Sequence, residues 1–420
     1  MATAKGSSPD QPDRISKTRK KAKGELPPIP KVTDEKLTRP SIKSIETLDL
    51  WVMAGGRCEF CNKYLLHDEF FSLDLNLAER AHIVGWNATP GSPRGEDPLP
   101  LDKRNDAPNL MLLCADHHHI IDNSKFIGEF TVDRLRKRKR QHEARIKFLT
   151  GLTEDQETVV LRMLGPIRGT KVEVSRQHAA AVVLKKERYP RFALALDGQD
   201  VEIDTAKFPD PEKSWGAHWE LGKFAVDEQV AKIHEGLANS QIRHLSVFGF
   251  ARIPLLVYLG YKIGDKIPTD IYQKQRGETE SWFWNEEAEP VEFETTQLQH
   301  SSAKENVALV LSISGTIPLE RLPTLIDESF NIFSLHPVGV EANRDIFESY
   351  TSFANFVKCY HQFLSSLELT NKAARQIHLF AAIPVSAAIA CGRGVMRDAQ
   401  PAIVVYDLCA GEYKSTLTIN

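Results

Sequence analysis

No apolar run in this 420-residue sequence is long enough to cross a bilayer. The longest, Leu379 to Cys391, is broken by Pro384 and Ser386 and falls short of the ~20 residues that a spanning helix needs. No signal peptide opens the chain, so the expectation is a cytoplasmic protein with no membrane attachment. Cysteine is scarce as well: there are six. Cys359, Cys391 and Cys409 lie scattered in apolar contexts, which predicts buried, reduced thiols and excludes a disulfide-built scaffold. Net charge is also low, at −3, but this balance hides an asymmetry. Residues 1–147 carry 26 Lys/Arg against 21 Asp/Glu, whereas the remainder carries 27 against 35. A basic first third suits contact with a polyanion, and an acidic remainder suits protein or a small ligand. With 42% hydrophobic and 26% charged residues, the chain has ample core for two or three domains.

The other three cysteines fall into a metal pattern. Cys58-x-x-Cys61 and, much later, Cys114-x-x-His117 form two knuckles, each projecting two ligands from a tight turn. Together they complete the closed tetrahedron that Zn²⁺ takes in structural sites. Between them lie Ala81-His82-Ile83-Val84, a polar Gly/Pro-rich loop, and Asn109-Leu110-Met111-Leu112-Leu113. His117-His118-His119 and Ile121-Asp122 follow.

This order of His, Asn and His, over residues 50 to 140, resembles an HNH endonuclease. The resemblance implies a ββα-metal fold stapled by structural Zn²⁺ on Cys58, Cys61, Cys114 and His117. It makes His82 the general base that takes a proton from water, and Asn109 the residue that orients the site through His82 or the metal. It makes His118 the ligand of a catalytic Mg²⁺ or Mn²⁺, and Asp122, one helical turn on, faces the same cation. The family usually carries Asp, Glu or His before the base, where this chain has Ala81, and Asp122, Asn109 or Glu79 are the alternatives for the missing ligand. A one-residue slip along the three histidines would give the zinc to His118 and the chemistry to His119. A plain zinc ribbon that only supports a fold or holds DNA is the rival reading of the cysteines.

Residues 1–43, rich in Lys, Pro and Ser, read as a disordered basic arm, and 44–150 as the nuclease domain. Within the domain, an apolar helix from Ile45 to Ala54 stops at Gly55-Gly56. A second helix, Val132 to Leu149, contains Arg134-Leu135-Arg136-Lys137-Arg138-Lys139-Arg140. Arg136, Lys137, Arg138, Lys139 and Arg140 are the candidates for DNA-backbone contacts, with a solvated connector helix as the alternative.

Residues 151–175 read as a linker broken by Gly151, Gly165-Pro166 and Gly169. Beyond it the sequence repeats itself. His244-Leu-Ser-Val-Phe-Gly-Phe250, Ile253-Pro254 and Thr269-Asp-Ile-Tyr272 correspond to His378-Leu-Phe-Ala-Ala382, Ile383-Pro384 and Ala402-Ile-Val-Val-Tyr406. Strand, Pro-initiated helix and strand predict parallel strands buried on both faces. These halves, 176–300 and 301–420, with Arg252-Ile253-Pro254, Tyr272-Gln273-Lys274 and Trp282-Phe-Trp284, resemble a SAVED domain. That domain is a pair of fused, CRISPR-associated Rossmann-like (CARF-like) α/β units that binds a cyclic oligonucleotide.

An HNH domain ahead of a SAVED domain resembles the effector nucleases of CBASS antiphage systems. The fold class expected is therefore α+β multidomain. The function implied is a sequence-nonspecific, double-strand DNA endonuclease, switched on by a cyclic dinucleotide that drives dimers into higher homo-oligomers. The ligand would lie at strand ends, against Arg252, Tyr272, Lys274 and Trp284 on one side and Ser314, Thr316, Pro384 and Ser386 on the other. The alternative is a restriction-type or repair nuclease whose second half reads DNA directly, and a third reading is a zinc-containing regulator with no activity. The acidic second half weighs against direct DNA reading.

Overall fold

The computed structural model describes residues 39–167, 174–192, 201–275, 281–397 and 399–419, so residues 1–38 of the arm expected at 1–43 lie outside the described residues, whereas Pro40 and Ile42 within it make contacts to the first unit. The chain divides into two compact units, 1–146 and 147–420.

In the first unit, α1 (Ser44–Ala54) ends where Gly55 and Gly56 turn left-handed, with φ of 63° and 66°. A short hairpin of β1 (His67–Asp68) and β2 (Leu73–Asp74) follows. Then β3 (Ala78–His82) runs antiparallel to β4 (Leu110–Cys114), with Ala78 opposite Cys114 and His82 opposite Leu110. β4 is buried throughout, as its Leu-Met-Leu-Leu-Cys sequence dictates, and it feeds straight into α2 (Ala115–Ile121). These three elements make the ββα motif. The helix α3 (Val132–Thr150) turns Leu135, Lys139 and His142 inward, spaced as one helical face. His142 Nε2 donates to the Ala54 carbonyl at the end of α1, 2.9 Å away.

The second unit holds two sheets. In the first, β5 (Glu157–Leu164) is central, and all pairings are parallel. β5 pairs with β6 (Tyr189–Arg191), with β7 (Val201–Asp204) and with β8 (Leu245–Phe250), which in turn pairs with β9 (Thr269–Tyr272). Helices α4 (Arg176–Lys185), α5 (Trp215–Ala238) and α6 (Ile253–Ile263) accompany it. The second sheet has the order β10-β12-β11-β13-β14-β15. Its strands are β10 (Phe293–Gln299), β11 (Asn306–Ser312), β12 (Asn331–Pro337), β13 (Gln376–Ala382), β14 (Ala402–Cys409) and β15 (Glu412–Ile419). The four central strands are parallel and the two edges antiparallel. Of the helices that follow, α7 (Tyr350–Thr370) packs against β10, and α8 (Val385–Arg393) packs on α6 and against β8 and β9 of the first sheet.

The repeat read from the sequence is present as β8-α6-β9 and β13-α8-β14. Its helices α6 and α8 meet backbone to backbone. A Cβ on Gly260 would stand 2.0 Å from the Ile389 carbonyl oxygen, and one on Gly392 would stand 1.8 Å from that of Val257. Only glycine allows this approach.

Two boundaries differ from the expectation. The segment 151–175 is not all linker, because it supplies β5, the hub of the first sheet. The strand at 293–299 belongs to the second half, where β10 pairs with β12.

Candidate functional site

Cys58, Cys61, Cys114 and His117 bring their ligand atoms within 4.8 Å of one another. The Sγ atoms of Cys61 and Cys114 are 4.0 Å apart, and His117 Nδ1 lies 3.8 Å and 3.1 Å from the sulfurs of Cys58 and Cys114. Around a tetrahedral zinc with Zn–S near 2.3 Å, sulfurs stand about 3.7 Å apart, so the set fits such an ion. Electrostatics points the same way. Burial pushes the Cys58 thiol up, but backbone N–H groups of Cys61, Cys114 and Phe60 outweigh it, and the net shift is down. Burial and the neighbouring Cys58 push Cys114 up to about 11, against the backbone N–H at His117. A second thiolate beside the first needs a cation to neutralise it.

The three histidines take three places. His117 joins the sulfurs, His118 faces two carboxylates, and His119 is exposed. His118 Nδ1 is 2.6 Å from Glu79 Oε2, and its Nε2 is 3.3 Å from Asp122 Oδ2. The Asp122 bond raises the His118 pKa; burial opposes this and Glu79 supports it. Arg94 ties the region together, donating to the carbonyls of Ile83 (2.5 Å), Ile121 (2.7 Å) and His82 (3.2 Å) and to Asp122 Oδ1 (2.5 Å). Ala81 is fully buried in the core and offers no ligand; Glu79 is the acidic residue of β3 that reaches His118.

His82 ends β3, 8% exposed. Its Nε2 is 2.9 Å from Asn105 Oδ1, and Asn105 Nδ2 donates to the Pro40 carbonyl at 2.9 Å. That second bond fixes which end of the amide is nitrogen. An amide oxygen only accepts, so His82 Nε2 carries the hydrogen and Nδ1 keeps the lone pair. Burial lowers the His82 pKa; Asn105 opposes this and the Arg39 cation adds to it, so the ring is held neutral.

Among the described residues, the Asn109 side chain makes its hydrogen bonds away from His82 and from the carboxylates at His118. Its Oδ1 accepts from the Val84 N–H (3.0 Å), and its Nδ2 donates to the carbonyls of Val84 (3.0 Å) and Arg104 (2.8 Å). Its amide is spent clamping the backbone two residues beyond His82.

In the second unit most of the expected pocket residues are already engaged. Arg252, at the start of α6, donates to Asp407 Oδ2 on β14 at 2.6 Å. Tyr272 is a core residue, 1% exposed and stacked on Phe248 at 4.4 Å, so it is no open platform for a base. Ser386 is buried, and both its N–H and its hydroxyl donate to Gln273 Oε1 at 3.2 Å and 2.8 Å. The Ser314 N–H is taken by the Ala382 carbonyl at 2.7 Å. Pro384 caps α8 and is buried, Thr316 is exposed, and Lys274 is half-buried. Trp284 is half-buried, stacked on Phe353 at 5.5 Å. Arg252–Asp407 and Gln273–Ser386 thus clasp the two halves at the strand ends where a ligand was expected.

Residues 58–127 match the sequence model of the HNH endonuclease family, and residues 226–419 match that of SAVED, the SMODS-associated and fused to various effectors sensor domain. The chain joins an HNH endonuclease domain to a SAVED sensor domain. Solved structures similar to it include the Acinetobacter baumannii Cap4 SAVED/CARF-domain receptor with the cyclic trinucleotide 3'3'3'-cAAA. That receptor is 16% identical with a TM-score of 0.42, over 70% of this chain and 61% of that one. The Moraxella osloensis Cap4 receptor is also 16% identical, with a TM-score of 0.37, over 70% and 59%. The chain therefore spans about three-fifths of the length of these solved relatives. No curated protein matches it.

In the HNH domain the basic helix α3 is less free than its sequence implies. Lys139 is buried, bonded to Glu143 at 2.5 Å and 3.9 Å from Glu59, which lies in the first knuckle. Burial pushes Glu59 up to about 7, while Lys139 pulls it down. Arg138 donates to the carbonyls of Glu59 (2.8 Å) and Phe60 (2.6 Å), and Phe60 stacks on His117. Both cations therefore brace the knuckle. Lys137 and Arg140 are exposed and Arg136 is half-buried. Sequence reading missed Arg39, Arg94 and Asn105, which no local motif marks.

In the SAVED domain the described residues include no helix long and apolar enough to cross a membrane, and the same holds for the HNH domain.

Proposed function

We propose that this chain is a metal-dependent DNA endonuclease, switched by a cyclic oligonucleotide bound to its SAVED domain, in antiphage defence. The observation that carries the reading is a buried His82 whose Nε2 is held by Asn105, leaving Nδ1 as its acceptor, on the same ββα unit as the Glu79–His118–Asp122 chain. His82 Nδ1 takes the proton from the attacking water, which a neutral imidazole does near pH 7. Both ring nitrogens of His118 face carboxylates, Glu79 and Asp122, so these three residues would have to exchange their mutual bonds to hold a divalent cation. A Mg²⁺ or Mn²⁺ held there would supply charge neutralisation at the scissile phosphate and the leaving oxygen. Arg94 holds Asp122 in place, and Asn109 fixes the backbone that carries His82. The Cys58, Cys61, Cys114 and His117 quartet holds structural Zn²⁺. Lys137, Arg140 and Arg136 bind duplex phosphates without reading sequence.

On the sensing side, the clasp at the strand ends is the bistable element. A cyclic dinucleotide that exchanges contacts with Lys274, Trp284 or the clasp would favour one packing of the two halves and, through it, assembly of protomers. The experiment is digestion of plasmid with Mg²⁺ or Mn²⁺ and a panel of cyclic di- and trinucleotides, followed by sequencing of the product ends. Ends scattered over the plasmid support the reading. One recurrent recognition sequence would instead support a restriction-type enzyme.

A further inference from the structure

The side chain that holds His82 is not the asparagine of the HNH motif. Asn105, on the loop before β4, sets its Oδ1 2.9 Å from His82 Nε2, while its Nδ2 donates to the Pro40 carbonyl at 2.9 Å. Both ends of the amide are committed. Turning it over would bring its oxygen against the Pro40 oxygen, two acceptors face to face, so the orientation that offers His82 an acceptor is fixed from outside the motif.

The backbone on either side of Asn105 is pinned. Arg104 is buried and spends its guanidinium on main chain: Nε donates to the Leu99 carbonyl at 3.0 Å, Nη1 to that of Gly85 at 2.6 Å, and Nη2 to that of Asp97 at 2.9 Å. The Arg104 carbonyl accepts from Asn109 Nδ2 at 2.8 Å. On the other side, the Asn109 N–H donates to the Asp106 carbonyl at 2.9 Å, and the Ala107 N–H donates to Glu46 Oε2 on α1 at 2.6 Å. The motif asparagine therefore reaches His82 indirectly, through the Arg104 carbonyl and the peptide bond to Asn105.

We propose that Asn105 is a positioning residue of this endonuclease, fixing the tautomer and the plane of His82 so that Nδ1 is the nitrogen offered to water. A free imidazole moves its hydrogen between both nitrogens and turns about its ring torsion. A fixed acceptor at Nε2 removes both freedoms, and with them the states in which the lone pair points away from water. This rests on His82 being the base.

The test uses the full zinc-loaded chain with isotopically labelled histidine, at a pH of about 8.5, well above the ordinary histidine pKa. Nuclear magnetic resonance reads which ring nitrogen carries the hydrogen, and the His82 signal is assigned by its loss in His82→Ala. The wild type should show a hydrogen on Nε2 that exchanges slowly with solvent, and a bare Nδ1. In Asn105→Leu that hydrogen should exchange freely. Its kcat on plasmid, with Mg²⁺ and the member of the nucleotide panel that activates the wild type, should fall by roughly ten- to a hundredfold at unchanged KM, as when the group orienting a metal-bound histidine is lost. Asn105→Asp, which still accepts, should restore the slow hydrogen and most of kcat. A hydrogen on Nδ1 in the wild type, an unaltered kcat in Asn105→Leu, or equal losses in the Leu and Asp variants would overturn the proposal. Normal cleavage by His82→Ala would instead reject His82 as the base, whatever the spectra show.

Discussion

Arg252→Ala removes one half of an ion pair at 2.6 Å whose side chains are only 12% and 15% exposed. What remains is the Asp407 carboxylate, low in solvent and without its cation. Breaking a fully buried pair by deleting one partner costs about 3–5 kcal/mol, and the residual exposure here argues for the lower end, about 3 kcal/mol. In a unit of this size 1 kcal/mol moves Tm by about 2–4 °C, so the SAVED transition should fall by roughly 6–12 °C. Asp407→Asn should cost less, because its amide oxygen still accepts from Arg252. The double variant Arg252→Ala with Asp407→Asn should be less destabilised than the sum of the singles, since both act on one contact. Thermal melts of the four proteins, ligand-free, read all of this. A melting temperature of Arg252→Ala equal to the wild type, or strictly additive singles, would refute the clasp. The result also governs how Arg252 is read as a ligand contact: loss of nucleotide response in this variant counts only once its fold is shown to be intact.

Within the HNH domain, Arg138→Ala should lower the melting temperature by removing both bonds to the Glu59 and Phe60 carbonyls. Lys137→Ala with Arg140→Ala should leave melting unchanged and weaken duplex binding uniformly across sequences. Equal melting of all these variants would reject the division between bracing and DNA-facing cations. Cys114→Ser, or a chelator, should collapse the domain, because binding energy at a closed Cys/His site is folding energy; zinc content and near-ultraviolet circular dichroism measure it. For pH, the His118 pKa is raised in the folded state, chiefly by Asp122. Its contribution to metal-free stability is therefore full below the usual histidine value of about 6.5 and is lost as pH rises through the raised value. Tm against pH should fall across that window in the wild type and flatten in His118→Gln, and parallel curves would contradict the pairing.

The parts of the fold legible in the sequence are those written in local spacing. Cys58-x-x-Cys61 and Cys114-x-x-His117 announce themselves because each knuckle is one turn, and the Pro-initiated helices of the repeat stand out between apolar runs. β5 was hidden, since its Val-Val-Leu-Arg-Met-Leu core carries Arg162 in mid-strand. That residue reads as surface until the fold supplies the Val174 carbonyl and Glu202 to receive it. The inward turn of Lys139 was equally invisible, because its partners Glu59 and Glu143 depend on which face of α3 meets the knuckle. Arg39 and Asn105 lie 43 and 23 residues from His82, and Arg252 lies 155 from Asp407, so only tertiary structure brings them together. The pocket residues chosen from the repeat illustrate a related point. Strand ends do converge there, but in this structure the converging groups satisfy one another.

The most direct measurement of the central claim is cleavage of supercoiled plasmid by the wild type and by His82→Ala, each with Mg²⁺, with and without the activating cyclic nucleotide. The account predicts cleavage by the wild type only when the nucleotide is present, and none by His82→Ala although its zinc content and melting are unchanged. Full cleavage by the wild type without nucleotide, or ligand-stimulated cleavage by His82→Ala, would contradict it.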